Sequence, residues 1–560
     1  LKRLLSLLLA AAITFPLGAQ KKPSEPDLPR LVENIDVRVI NVDVVVTDKR
    51  GNPVPNLKAE DFEIYENSAP KPITNFYEVQ GGRPKLEAFE KGAAQQPDAP
   101  PAKQETPENL KRRIIFYVDN LSLSPFNRNR VFEQAKAFMK QVVRPGDEVM
   151  IATYNRSMKV RVPFTRDIAQ LESNLDALAK ESGLGIANKS ERKSTEDRIR
   201  DTDSYDEAVA VARQYASSIE HDLRQGVASL NALMSTLAGV EGKKILVLTS
   251  EGFPIQPGRE MFYFIDDLAQ EKGWSGATST MLEGMSFDSA NEIQKVAKTA
   301  NANGITVYTI HAAGLSGGME MSAEYARPTS SNVAQAALSN TTESMQLIAQ
   351  MTGGLASVNS NNFAGAFEKI SKDLDSYYSL GYRAGTERVD RQRYLAVKVK
   401  NKDYRVRSRQ TFVEKSMFAE MSDRVVANLL YRGKENDLAI LARVGQPTPV
   451  EDGMFRIPID VQIPMESLTL LPQGDNDFVG GFDLYVVVAN KDNDLSDVAR
   501  KQHQIRVPKE DMQKTKGKFY TYTLELLVER GLNKISIGVA DQISNTTGFA
   551  REQIIAQDMR

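Results

Sequence analysis

The chain has 560 residues, 71 basic against 73 acidic side chains, three histidines and no cysteine. That length exceeds what one ordinary core serves, so three or more domains are expected. The balanced charge argues against a dedicated nucleic-acid binder, and the missing cysteines exclude disulfides, thiolate nucleophiles, Cys-ligated zinc and lipid-modified cysteine.

The first twenty residues, LKRLLSLLLAAAITFPLGAQ, place Lys2 and Arg3 before a short apolar run and end in small residues. This is the layout of a secretory signal peptide over 1–19. Later apolar runs all fall short of the roughly 18 residues needed to cross a bilayer, so the mature chain is expected to lack a transmembrane segment and to be exported, periplasmic or extracellular. Over 30–80, Ile40, Val42, Val44 and Val46 alternate before the turn DKRGNPV, and DFEIYEN and PITNFYEV read as further strands of a small β module. The polar, Ala/Pro/Gln-rich stretch 81–110 reads as a disordered linker.

From 111 to 376 buried apolar runs alternate with helical periodicity, which predicts a doubly wound α/β domain around a parallel sheet. Its strands are RIIFYVD, DEVMIATYN, KVRVPFT, KKILVLTS, ITVYTIH and LASV. The charged insertion NKSERKSTEDRIR reads as a solvated face or mobile segment, and SYDE at 204–207 as a capping box opening the next helix. SLGYR, YLAVKVKN and YRVRSRQTF form a β extension over 377–415. Four period-2 runs, beginning at Phe455, Phe482, Tyr520 and Ile535, predict a β-sandwich over 424–560. The fold class is therefore multidomain α/β plus β.

In an open parallel sheet, ligands bind beyond the carboxyl ends of the strands. Three such ends are polar: Asp119, Ser250 with Glu251, and His311. Asp119, followed by Ser122 and Ser124, together with Glu251 would suit a hard divalent cation, which takes carboxylate and hydroxyl oxygens. The same residues also read as plain structure. Ser124 before Pro125 is the pattern of a helix N-cap with proline at N1, Asp119 could accept backbone N–H groups there, and Glu251-Gly252 could form a turn. His221 and His503 make no pair at metal-ligand spacing, and KDNDLSD at 491–497 reads as a hairpin loop.

The order of elements, DNLSLS after the first α/β strand, and LVLTSEGFP resemble a von Willebrand factor type A (VWFA) domain. VVVTDKRGNPVPNLKAEDFEIYEN and YYSLGYR on its flanks resemble the secreted VWFA-related proteins of Acidobacteria. The resemblance covers about residues 35–415. It implies a metal-ion-dependent adhesion site, built in that family from an Asp-x-Ser-x-Ser run, a loop threonine and a later aspartate, and hence Mg²⁺ or Ca²⁺ as cofactor. Carried onto this chain, the ligands are Asp119, Ser122, Ser124, Thr202 (with Thr195 as the other choice) and Glu251. The family spacing would place serines at 121 and 123, where this chain has Leu121 and Leu123.

These features lead to an expected protein- or peptide-binding, adhesion-type module. The alternative is a metal-free scaffold of the cell envelope that makes its contacts through the C-terminal sandwich. An enzyme is not expected, since the chain carries no GxSxG, Walker A or HExxH motif.

Overall fold

The structure, a computed structural model, describes residues 39–85, 111–274, 280–315, 331–384, 389–431, 433 and 435–557. The expected signal peptide and residues 86–110 of the expected linker lie outside them. The described residues form two compact units, one of 39–235 with 241–414 and one of 236–240 with 415–557.

The first unit opens with β1 (Val39–Thr47), β2 (Phe62–Glu66), β3 (Ala69–Lys71), β4 (Ile73–Gln80) and β5 (Arg83–Pro84). Then follow β6 (Arg112–Asp119), α1 (Pro125–Val142), β7 (Glu148–Tyr154), β8 (Met158–Thr165), α2 (Ile168–Ala179), α3 (Gly185–Arg200) and α4 (Tyr205–Thr236). Next come β9 (Lys243–Ser250), α5 (Arg259–Lys272), α6 (Thr280–Met285), α7 (Ala290–Ala302), β10 (Ile305–His311), α8 (Ser331–Thr352), β11 (Ala356–Ser357) and α9 (Phe363–Asp375). Strands β12 (Ser376–Arg383), β13 (Gln392–Val399), β14 (Arg405–Ser408) and β15 (Thr411–Val413) close the unit.

The central sheet runs β11-β10-β9-β6-β7-β8. Every neighbouring pair is parallel except β7–β8. That exception has a local cause: the chain reverses at Asn155–Ser157, where Asn155 N–H donates to the Ser157 carbonyl at 3.2 Å and Arg156 takes φ 59. So short a link leaves no room for a crossover helix. Ile114, Phe116 and Val118 of β6 and Ile245 and Val247 of β9 pack with α1, α2 and α9 in one core. The alternate residues Ile115, Tyr117, Leu246 and Leu248 are equally buried and point to the other face. From β6 the chain moves outward to β7 and from β9 it moves the opposite way to β10, so the β6/β9 boundary is the topological switch point.

The segments expected as separate flanking modules, 30–80 and 377–415, share their sheets. Strand β1 pairs with both β12 and β14 in the sheet β14-β1-β12-β4-β5, and β13 pairs with β2 in β15-β13-β2-β3. Val42, Val44, Phe62 and Ile64 from before the α/β segment meet Tyr378, Leu380, Leu395 and Phe412 from after it in one core. In the first of these sheets β1 and β4 are joined only through β12, so neither half completes its sheet alone. The charged insertion at 188–200 presents a largely solvated face, as expected. It is most of α3, held by buried Thr195 and Ile199, and Ile199 joins a core with α4 and α5.

In the second unit, α10 (Met417–Tyr431) precedes β16 (Leu441–Val444), β17 (Thr448–Pro449), β18 (Phe455–Pro464), β19 (Leu471–Gln473), β20 (Asp477–Ala489), β21 (Ala499–Pro508), β22 (Phe519–Val528), β23 (Gly531–Asp541) and β24 (Thr547–Ala556). One sheet is built on β18 with β16, β17 and β22, and the other runs β19-β20-β23-β24 with β21 on β20. The alternating Phe455, Ile457, Ile459, Val461 and Ile463 meet Phe482, Leu484, Val486, Ile535 and Ile537 between the sheets. Helix α10 lays Met421, Val425 and Leu429 on Tyr485, Val487 and Ala489, which buries the second sheet's outer face as well. Because α10 belongs to this unit, it begins ahead of the expected boundary at 424. Among the described residues, no helix is long and apolar enough to cross a membrane.

Candidate functional site

The switch-point crevice contains two layers of polar contacts. In the inner layer, Asp119 ends β6 and Ser250 ends β9. Ser122 and Ser250 each donate a hydroxyl hydrogen to Asp119 Oδ2 at 2.7 Å, and their oxygens lie 2.9 Å apart. Each hydroxyl oxygen also accepts a backbone N–H, Ser122 from Glu251 at 3.0 Å and Ser250 from Gly252 at 2.9 Å. Burial raises the Asp119 pKa, an effect only partly offset by the two hydroxyls and by hydrogen bonds from the Ser122 and Leu121 backbone. Asp119 therefore closes the loop after β6 and ties it to the end of β9.

The outer layer is organised by Glu251. Its Oε1 accepts the Ser124 backbone N–H at 2.8 Å and the Asn127 side-chain amide at 3.0 Å, so a carboxylate from another strand caps the N-terminus of α1. Ser124 is the N-cap residue by position, with φ −73 and ψ 137 ahead of Pro125, yet its hydroxyl makes no cap bond. That hydroxyl instead accepts the Lys189 ammonium at 2.9 Å, and the same ammonium lies 3.2 Å from Glu251 Oε2. Burial alone would raise the Glu251 pKa, but Lys189, Asn127 and Ser124 together outweigh it and hold the carboxyl below its ordinary value.

Lys189 arrives on α3, whose first turn is docked on the loop after β6. Leu184 N–H donates to the Asn120 carbonyl at 3.1 Å, Gly185 N–H to Leu123 at 3.3 Å, and the Asn188 amide to Leu121 at 2.8 Å. The approach requires glycine at 185, where a Cβ would stand 2.4 Å from the Ser122 carbonyl oxygen. Beneath the loop, the fully buried Arg128 donates to Asn120 Oδ1 and to the carbonyls of Ala179 and Glu181.

Of the five residues expected to hold a cation, four converge and one does not. Thr202 donates its hydroxyl to the Ile199 carbonyl at 2.7 Å and its own carbonyl accepts Lys272, so it terminates α3. Thr195, the other choice, is spent on the Glu191 carbonyl within α3. His311 ends β10 and is buried, with Nδ1 making no hydrogen bond. Burial lowers its pKa, and the nearby Glu251 offsets this only in part. Sequence reasoning missed Lys189 and Asn127. The pair Gly183 and Gly185, each abutting the 122–124 backbone, is the trace of Lys189's helix in the sequence.

A divalent cation fits this donor set poorly. Asp119 Oδ2 already receives two hydroxyl hydrogen bonds, and both hydroxyl oxygens beside it are committed. Ser124 Oγ and Glu251 Oε2 face an ammonium. Among the described residues, no group of three or more His, Cys, Asp or Glu side chains could hold a metal.

No protein-family profile matches the chain, and no curated protein matches it. Among solved structures, the chain is similar to the vWF domain of the type V pili tip protein Mfa5 from Porphyromonas gingivalis, with 13% identity and TM-score 0.25 over 47% of this chain and 94% of that one. It is also similar to a von Willebrand factor type A protein from Catenulispora acidiphila, with 7% identity and TM-score 0.25 over 80% and 66%. Manganese-loaded TRAP from Plasmodium vivax is similar at 10% identity and TM-score 0.22 over 54% and 94%. The α/β reading rests on the strand order and the switch point, not on these distant likenesses.

Proposed function

We propose that this is an exported protein-recognition protein whose VWFA-like α/β domain binds a protein or peptide partner at the carboxyl edge of its sheet. It does so without catalysis and without resident Mg²⁺ or Ca²⁺. The observation that carries this reading is the make-up of the edge. Phe126, at the second position of α1, is 64% exposed, and Ile186, at the second position of α3, is 59% exposed. Between these two helix starts lies the half-exposed Lys189 ammonium. Apolar anchors around a charge that is already desolvated on one side make a protein-docking surface. Export is supported by the basic, apolar and small-residue order of the first twenty residues. A non-catalytic role is supported by an Asp119 carboxylate spent on holding a loop.

The test is capture of envelope proteins by the full chain, by a Phe126→Asp/Ile186→Asp variant and by Tyr394→Asp, a change at a residue 66% exposed on β13. Partners captured by wild type and by Tyr394→Asp should be retained in EDTA and lost at least tenfold in the edge variant. Equal capture by all three proteins would place recognition elsewhere.

A further inference from the structure

We infer that Lys189 is the resident cation of this site, an ammonium carried on α3 into the place where an ion bridging Ser124 Oγ and Glu251 Oε2 would sit. The inference concerns the same edge as the proposed function, but it stands or falls on measurements that need no partner. Three observations support it. The ammonium contacts both oxygens, at 2.9 and 3.2 Å, while the remaining Glu251 oxygen is taken by the Ser124 N–H and Asn127. Lys189 is placed by a docked helix rather than by a free arm, because the backbone bonds from Leu184 and Gly185 and the Asn188 amide fix α3 on residues 120–123. The Glu251 side chain is only 10% exposed, so it requires a positive partner, whereas Lys189 keeps 52% of its side chain open to solvent.

The consequence is an edge that carries its positive charge permanently. A metal-completed edge loses that charge in chelator and recruits it when the ion returns. An ammonium held through the backbone of its own chain does neither, so the recognition surface is fully formed at any divalent-ion concentration. Its charge is also single and its donors are N–H groups, which suits a partner carboxylate accepting a charged hydrogen bond.

The test uses thermal unfolding of the full-length protein in EDTA and in millimolar Mn²⁺, with water-proton relaxation to count bound Mn²⁺. Wild type should melt identically in both media and show no Mn²⁺ that is lost on Glu251→Gln. Lys189→Met should melt lower than wild type in both media. Lys189→Glu, which puts a carboxylate where the ammonium was, should be destabilised in EDTA and regain about 3 °C or more in Mn²⁺, with the gain abolished by a second change, Glu251→Gln. A wild-type Mn²⁺ site that disappears in Glu251→Gln overturns the inference. So does a Lys189→Glu protein that folds and is indifferent to Mn²⁺. Should Lys189→Glu not fold, the wild-type relaxation titration and the Lys189→Met melting point decide alone: a site in the first, or an unchanged melting point in the second, refutes it. Because none of these readouts involves a partner, an edge that binds nothing but behaves this way defeats the proposed function and leaves the resident cation standing.

Discussion

Replacing Arg393 by alanine is expected to destabilise the first unit by about 3–5 kcal/mol. Arg393 lies on β13 with its side chain 7% exposed, and it donates to Glu66 Oε1 at 2.9 Å and to Glu414 Oε2 at 2.8 Å, both carboxylates being nearly as buried. Two acids share one cation in a place where water cannot substitute. Removing the guanidinium leaves both carboxylates uncompensated, and a cavity opens beside Phe412, over whose ring the guanidinium sits. Denaturant unfolding of the full chain, followed by near-ultraviolet circular dichroism, checks the size of the loss. A drop below about 1 kcal/mol would show that solvent reaches the triad. Changing all three residues to apolar ones of similar volume should recover most of the loss, because the expensive event is stranding the charges and not losing the network.

The second large effect is expected at Gly252, immediately after Glu251. Its φ is +98, and a Cβ there would stand 2.6 Å from the Thr341 Cβ and 2.7 Å from the Thr341 carbonyl oxygen on α8. Gly252→Val therefore combines backbone strain with a collision against main chain that cannot rotate away, a sum of about 2–5 kcal/mol. Gly51→Val serves as the comparison, since Gly51 has φ +84 but meets nothing within 4 Å, and strain alone should cost about 1–2 kcal/mol. Chemical denaturation of both variants separates the two causes. If Gly252→Val loses no more than Gly51→Val, the contact with α8 is not what fixes this turn. Because Gly252 N–H donates to Ser250 Oγ, the variant should also loosen the inner layer and with it the seat of Glu251.

Much of this arrangement was legible in the sequence. Period-2 runs such as Phe455–Ile463 and the buried runs ending at Asp119, Ser250 and His311 located the strands, because side-chain alternation and burial are properties of local order. The reading of Asp119 as an acceptor of backbone N–H groups at the start of α1 is not met: its carboxylate takes the Ser122 and Ser250 hydroxyls, and Glu251 takes the Ser124 N–H. What resisted reading was non-local. Lys189 sits in a stretch so charged that periodicity sees only a solvated surface, and its role depends on two glycines letting α3 approach a loop more than sixty positions earlier in the chain. The one-residue offset of Ser122 and Ser124 from the family spacing has a physical outcome: Ser122 turns inward to Asp119, while Ser124, at the start of α1, turns outward to Lys189. The pairing of β1 with β12 and of β2 with β13 could not be read at all, since no local signal says which distant edge completes a half-built sheet. Helix α5 went unseen although its buried Met261, Ile265 and Leu268 recur at helical spacing; they pack on α4, away from the sheet cores.

The two sheets shared by the flanking segments also set an order of events for the newly made chain. Glu66 and Arg393 are 327 residues apart, and β1 and β2 cannot find their partners until the strands beyond α9 have been synthesised. Closure over so long a loop is slow, and strand edges left waiting are prone to associate with other chains. The α/β segment, whose most distant sheet partners, β6 and β9, still pair within the segment itself, can collapse first and bring the two halves of the shared sheets together as its own ends meet. Its rapid folding thus acts as the clasp for a module that would otherwise spend most of its early life unfinished.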